Sequence, residues 1–190
     1  MRDSAGALLA LWNDVDPTLD AAYNDWHAHE HVPERCTVPG ILWGRRYGRV
    51  GDDAAMPRYL TLYGLRDAAV LDSEPYQRLL REPTPASRAM RPALRNLSRW
   101  VCRLHENPAD DAGRFIVVDT ADTREALGAA APDGARRLLA ERLVDAPGLP
   151  WLSSGQARSV EGRWLGCTLA DAPPLRQPPG AVLYARLELG

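Results

Sequence analysis

The chain repeats part of itself. Ala140–Trp151 (AERLVDAPGLPW) matches Pro33–Trp43 (PERCTVPGILW), and Arg163–Ala172 (RWLGCTLADA) matches Arg58–Ala68 (RYLTLYGLRDA). Such self-similarity constrains the fold more than composition does, because a unit that cannot bury its own apolar face packs that face on its copy. The expected architecture is therefore two copies of one unit packed sheet to sheet.

The first copy spells out what the unit is. Ala7–Asp14 (ALLALWND) is an apolar run closed by turn-forming residues and reads as a buried strand. Asp16 can cap a helix with Pro17 at its first position, and Pro33 is expected to end it. In Ile41–Val50, Ile41, Trp43, Arg45, Tyr47 and Arg49 share one face, while Gly44 and Gly48 on the other would let a helix lie close. In Arg58–Leu65, Leu60 and Leu62 alternate with Tyr59, Thr61 and Tyr63, giving one apolar face and one hydroxylated aromatic face. A second helix over Ser73–Arg81, resumed over Pro85–Arg91, leads to a strand at Asn96–Leu104.

This β-α-β-β-α-β order is the ferredoxin-like motif, one sheet with helices on one side. The second copy is expected to hold strands at Phe115–Thr120, Arg163–Ala172 and Ala181–Leu189, with a helix over Pro132–Ala146. It is reduced, since the proline-rich APPLRQPPG stands where its last helix belongs. The fold class read from the sequence is thus α+β: two tandem ferredoxin-like units packed sheet to sheet as an α+β barrel. Residues 1–106 form the first unit and 112–190 the degenerate repeat. The missing helix leaves one position uncovered and favours a homodimer.

Titratable chemistry is concentrated in the first helix. Three of the four histidines, His27, His29 and His31, lie within five residues, interleaved with Glu30. At about 100° per residue, Glu30 shares the apolar stripe of Leu19, Tyr23 and Trp26, and His27 and His31 share its flank. One carboxylate and two imidazoles are thereby aimed at one wall, a set suited to acid–base work, while His29 points away. A solvated helix edge is the competing role for Glu30. A pair of histidines four apart is also half a zinc site, but only His105 remains as a further histidine and no Cys pair lies nearby; no metal is assigned.

Several function classes are excluded. All 23 basic residues are arginine, which removes lysine Schiff bases, lysine-bound pyridoxal phosphate and the P-loop lysine. GxGxxG, GxSxG and HExxH are absent. A net charge of −2 with mixed signs offers no basic patch for nucleic acid. The N-terminal apolar run is too short for a signal peptide and none approaches about 18 residues, so no membrane contact is expected and the cytoplasm is the expected location. Cys36, Cys102 and Cys167 are odd in number and widely spaced, as reduced thiols are.

Asn24, Trp26, Glu30, His31, Pro33, Glu34, Arg35, Pro39 and Gly40, followed by Arg45, Arg46 and Tyr47, resemble the signature of the EthD-like group of dimeric α+β barrel proteins. The resemblance covers about the first hundred residues, and His27 departs from it, standing where an aromatic residue is more usual. It implies a barrel with ligands held inside it or between a sheet and its helices, and it carries the Glu–His pair over to Glu30 and His31. The wider superfamily includes cofactor-independent monooxygenases, cyclases, isomerases and haem enzymes.

The expected catalytic residues are accordingly His31, as general acid or base, with Glu30 and His27. The expected substrate-binding residues are Arg45, Trp43, Tyr47, Tyr59, Tyr63, Trp12 and Trp100, walls for a flat, partly polar small molecule, with Arg45 holding an enolate or carboxylate. Core packing competes as the role of the aromatics, and a surface ion pair as that of Arg45. The expected partner is a small-molecule substrate and no cofactor is assigned. A non-catalytic ligand-binding or assembly protein, and a haem enzyme with a histidine axial ligand, are the alternatives.

Overall fold

A computed structural model describes residues 4–52, 56–108, 113–127, 136–144, 148–174 and 177–190. Eight strands close into one barrel in the order β1-β3-β2-β8-β5-β7-β6-β4. These are β1 (Ala7–Val15), β2 (Ile41–Arg49), β3 (Tyr59–Leu65), β4 (Leu94–Glu106), β5 (Phe115–Ala121), β6 (Arg137–Arg142), β7 (Trp164–Ala170) and β8 (Val182–Leu187). All pairings between these eight strands are antiparallel. Within each half the order is fourth, first, third, second: β4-β1-β3-β2 and β8-β5-β7-β6. The halves are joined where β2 pairs β8 and β4 pairs β6, so neither half keeps a free edge.

Strand alternation divides the apolar residues between two places. Leu8, Ala10 and Trp12 of β1, Leu60 and Leu62 of β3, and Trp100 and Cys102 of β4 point inward, where they meet Ile116, Val118, Leu165, Cys167 and Tyr184 from the second half. Trp12 and Trp100 meet edge to face at 5.4 Å between ring centres. The barrel interior is thus a packed core. Leu9, Tyr63, Leu65 and Val101 face outward, against helices.

Those helices all come from the first half. They are α1 (Asp20–Trp26), α2 (Val32–Cys36), α3 (Glu74–Arg81) and α4 (Pro85–Met90). Asp16 accepts from the Thr18 amide at 2.9 Å and Pro17 opens a 3₁₀ turn, the capping expected from sequence. Gly44 is where α2 presses on the sheet: a Cβ there would lie 2.7 Å from Val32 Cγ1 and 3.1 Å from Cys36 Sγ.

Two expectations are overturned. Pro33 does not end the helix; α1 and α2 are continuous through a π-helical turn at His27–His31, in which the Val32 amide reaches back to the His27 carbonyl. A proline inside a helix cannot donate and its ring collides with the carbonyl four residues back, and widening the preceding turn relieves the collision. The helix expected over Pro132–Ala146 is, over Arg137–Arg142, strand β6 instead; residues 132–135 and 145–146 lie outside the described residues. β6 is enclosed on both faces, with Leu138, Leu139 and Ala140 all buried, so its two-residue period does not appear in the sequence.

The internal repeat survives in part. Arg163–Ala172 falls on β7 and Arg58–Ala68 on β3, the third strand of each half. The other match does not: Pro33–Trp43 runs from α2 into β2, whereas Ala140–Trp151 begins in β6 and runs out of it. Among the described residues the second half has no helix, and no helix is long and apolar enough to cross a membrane.

Candidate functional site

Between the outer face of β1, β3 and β4 and the helices lies a cavity of about 60 Å³. By the same measure one water requires roughly 10–15 Å³. Its floor is Leu9, Leu11, Asn13, Thr61 and Tyr63 of the sheet, its wall Tyr23, Trp26, His27, His31 and Arg35 of the first helix, and its far side Tyr76, Leu80, Arg91, Leu94 and Leu97; Leu149 and Trp151 close it. The π turn shapes the wall by bringing residues four apart nearly over one another, and the rings of His27 and His31 stack at 5.2 Å. Tyr23 stacks on the other face of this array, 5.0 Å from His27, and Trp26 lies 4.5 Å from His31.

His27 is buried and held in one tautomer. Arg46 Nε donates to His27 Nδ1 at 2.8 Å, and since an arginine always keeps its proton, Nδ1 is the acceptor and Nε2 carries the ring hydrogen. Arg46 also donates to Asn24 Oδ1 at 2.8 Å and to the Glu188 carbonyl at 3.2 Å. Asn24 in turn donates to Tyr59 Oη at 2.8 Å, and Tyr59 donates to Asp20 at 2.5 Å. A hydrogen-bonded chain thus runs from Asp20 at the surface to His27 in the cavity wall. Burial, then the charge of Arg46, holds the His27 pKa well below the usual imidazole value.

His31 is partly exposed as a residue, yet its Nδ1 is buried without a hydrogen-bond partner. Burial, with Arg35 next in importance, pushes its pKa well below 6.5, so the ring is neutral at pH 7. The Tyr63 hydroxyl and the Trp151 indole N–H also lack partners. Burial raises the Tyr63 pKa well above 10, which keeps the hydroxyl protonated. Buried polar groups without partners are uncommon, and several on one cavity mark a place where something else bonds.

The structure separates the residues singled out from sequence. His27, His31 and Tyr63 meet at the cavity. Glu30 does not line it, because the π turn rotates its carboxylate away to accept from Thr84, the N-cap of α4. Trp12, Trp100 and Tyr47 are inside the barrel, on the opposite side of the sheet. Trp43 lies across Gly64, packed against the barrel core, with the Arg45 guanidinium 4.0 Å above its ring, and neither lines the cavity. Tyr59 stands behind the site, in the chain that orients His27. Arg35, Tyr23, Tyr76, Arg91 and Trp151 were not singled out. Arg35 follows Glu30–His31 within the same motif, whereas Trp151 lies far away in sequence and only the barrel's closure brings it near.

The cavity does not suit a haem. Its volume, room for about four to six waters, is far below that of a haem, and the His27 Nδ1 is engaged by Arg46, which leaves only the His31 Nδ1 without a partner. Among the described residues no three His, Cys, Asp or Glu side chains come together as a metal-binding group.

No protein-family model matches the chain, and no curated protein does. Among solved structures it is similar to the crystal structure of an anthrone oxidase-like protein, with a TM-score of 0.56 over 96% of this chain and 91% of that one, at 10% identity. At that identity the likeness is one of fold.

Proposed function

We propose that the protein is a small-molecule enzyme in which His31 removes a proton from carbon beside a carbonyl, on an enolisable, partly aromatic substrate. The reading rests on one observation: the His31 ring forms part of the cavity wall and its Nδ1 is buried without a partner. A neutral imidazole is ready to accept a proton at pH 7. Its low resting pKa comes first from burial and then from neighbouring charge, Arg35 foremost, and the positive field of Arg35 and Arg91 stabilises the negative charge of the enolate that forms. His27, with its hydrogen fixed on Nε2, is the donor for the developing oxyanion. In the step, the C–H bond breaks, its proton goes to His31 and its electron pair into the enolate.

On this reading the chain belongs with the EthD-like proteins, its halves being two ferredoxin-like units of which the second is reduced. The fold neighbour's description supports the substrate class, since anthrone is an enolisable aromatic ketone. Proton abstraction is read by hydrogen–deuterium exchange at the enolisable carbon of a panel of small aryl ketones, with and without a carboxylate, in D₂O. The protein should accelerate exchange for at least one of them, and His31→Gln should lower that rate by about 10²–10⁴ while leaving binding intact. Exchange at the buffer rate throughout, or an unaltered rate in His31→Gln, would sink the proposal. A non-catalytic ligand-binding protein is the second reading, favoured by the low basicity of His31; binding without exchange is its signature.

A further inference from the structure

We infer that the Arg35–Tyr63 end of the cavity is a carboxylate subsite, and that the ligand is a small monocarboxylate with an apolar body. The inference rests on the cavity being the ligand site proposed above and names the class of ligand it takes. Arg35 is 5% exposed and Tyr63 1%, and both line the cavity. Arg35 has an ionic contact with its chain neighbour Glu34, 3.5 Å from Nη1 and too long for a hydrogen bond; that nitrogen is buried with no hydrogen-bond partner. The Tyr63 hydroxyl is in the same condition.

The charges around the cavity are one-sided. Arg35 and Arg91 both line it, and among the described residues no aspartate or glutamate does. Arg91 donates to the Leu79 and Leu80 carbonyls at 3.3 and 3.1 Å and lies 4.9 Å over the Trp151 ring. Of the two cations, Arg35 is the one with a buried nitrogen, Nη1, that has no hydrogen-bond partner. Burying a guanidinium without full compensation is costly, and an anion entering the cavity relieves that cost.

The neighbouring polar atoms select the same class. The Arg35 guanidinium and the Tyr63 hydroxyl are both donors, and a planar guanidinium matches the two oxygens of a carboxylate. Leu9, Leu11, Leu80 and Leu97 supply the apolar remainder. A neutral amide of identical shape would set an N–H₂ group against donors. The site therefore discriminates by charge and by acceptor count, not by size.

Titration calorimetry with isobutyrate and benzoate, each against its neutral amide, tests the assignment on the full chain. At least one acid should bind at least tenfold more tightly than its amide. Arg35→Met should abolish the preference, and the near-isosteric Tyr63→Phe should weaken acid binding by about tenfold with amide binding unchanged. Should Arg35→Met fail to fold by circular dichroism, Tyr63→Phe decides. Equal affinity for acid and amide, no binding of either acid, or a preference surviving both variants would overturn the inference. Acid binding as expected in a protein that exchanges no ketone proton would leave the subsite standing and remove the enzyme reading.

Discussion

At the scale of single residues, Arg46 sets the chemistry of the wall without lining the cavity. Its guanidinium supplies a donor to each of three acceptors, His27 Nδ1, Asn24 Oδ1 and the Glu188 carbonyl, and so fixes which His27 nitrogen carries the hydrogen. Replacing it by Met leaves those buried acceptors without donors, and we expect a loss of roughly 1–3 kcal/mol in urea unfolding. Lys should restore little, because an ammonium cannot reproduce the planar fork. Full recovery by Arg46→Lys would show that charge alone matters there. The His27/His31 pair was legible in the sequence because the histidines are few and clustered. The fate of Glu30 was not, since it depends on how the turn beneath it is wound.

At the scale of elements, the π turn is the decisive feature, and its cause is visible in the sequence as Pro33 within a helical pattern. A proline there can stop a helix or be accommodated by widening the preceding turn. The choice depends on what lies beyond: Val32 and Cys36 pack on Gly44 of β2, so continuing the helix buries apolar surface that stopping it would not. That contact carries a prediction. Gly44→Val places side-chain atoms where α2 now lies and should lower stability by about 1–3 kcal/mol, measured by thermal unfolding. An unchanged midpoint would mean that α2 does not hold the position described. Strand β3 could be read from sequence although both its faces are buried, because hydroxylated Tyr59, Thr61 and Tyr63 alternate with Leu60 and Leu62; the uniformly apolar Leu138, Leu139 and Ala140 of β6 carry no such alternation.

At the scale of the whole molecule, closure of the barrel decides which aromatics are structural. Trp12, Tyr47 and Trp100 share the sequence signature of a pocket wall, but a barrel joined through β2–β8 and β4–β6 turns their face inward and fills it. Ligand chemistry is left to the opposite face of the same strands, where the hydroxylated side of β3 meets the helices. Closure also brings Trp151 from the second half to the cavity, a contact no local pattern encodes. The central claim is that this cavity keeps His27 and His31 neutral at physiological pH. NMR of the imidazole nitrogens in the folded protein, followed from pH 8 to 5, tests it directly. Both rings are held below the ordinary value, whereas the unfolded chain takes up their protons near pH 6.5. The account therefore predicts that neither ring gains a proton as pH falls through 6.5, and that stability, full above that pH, declines below it as protons favour the unfolded chain. Protonation of both rings with midpoints near 6.5, and no accompanying loss of stability, would contradict it.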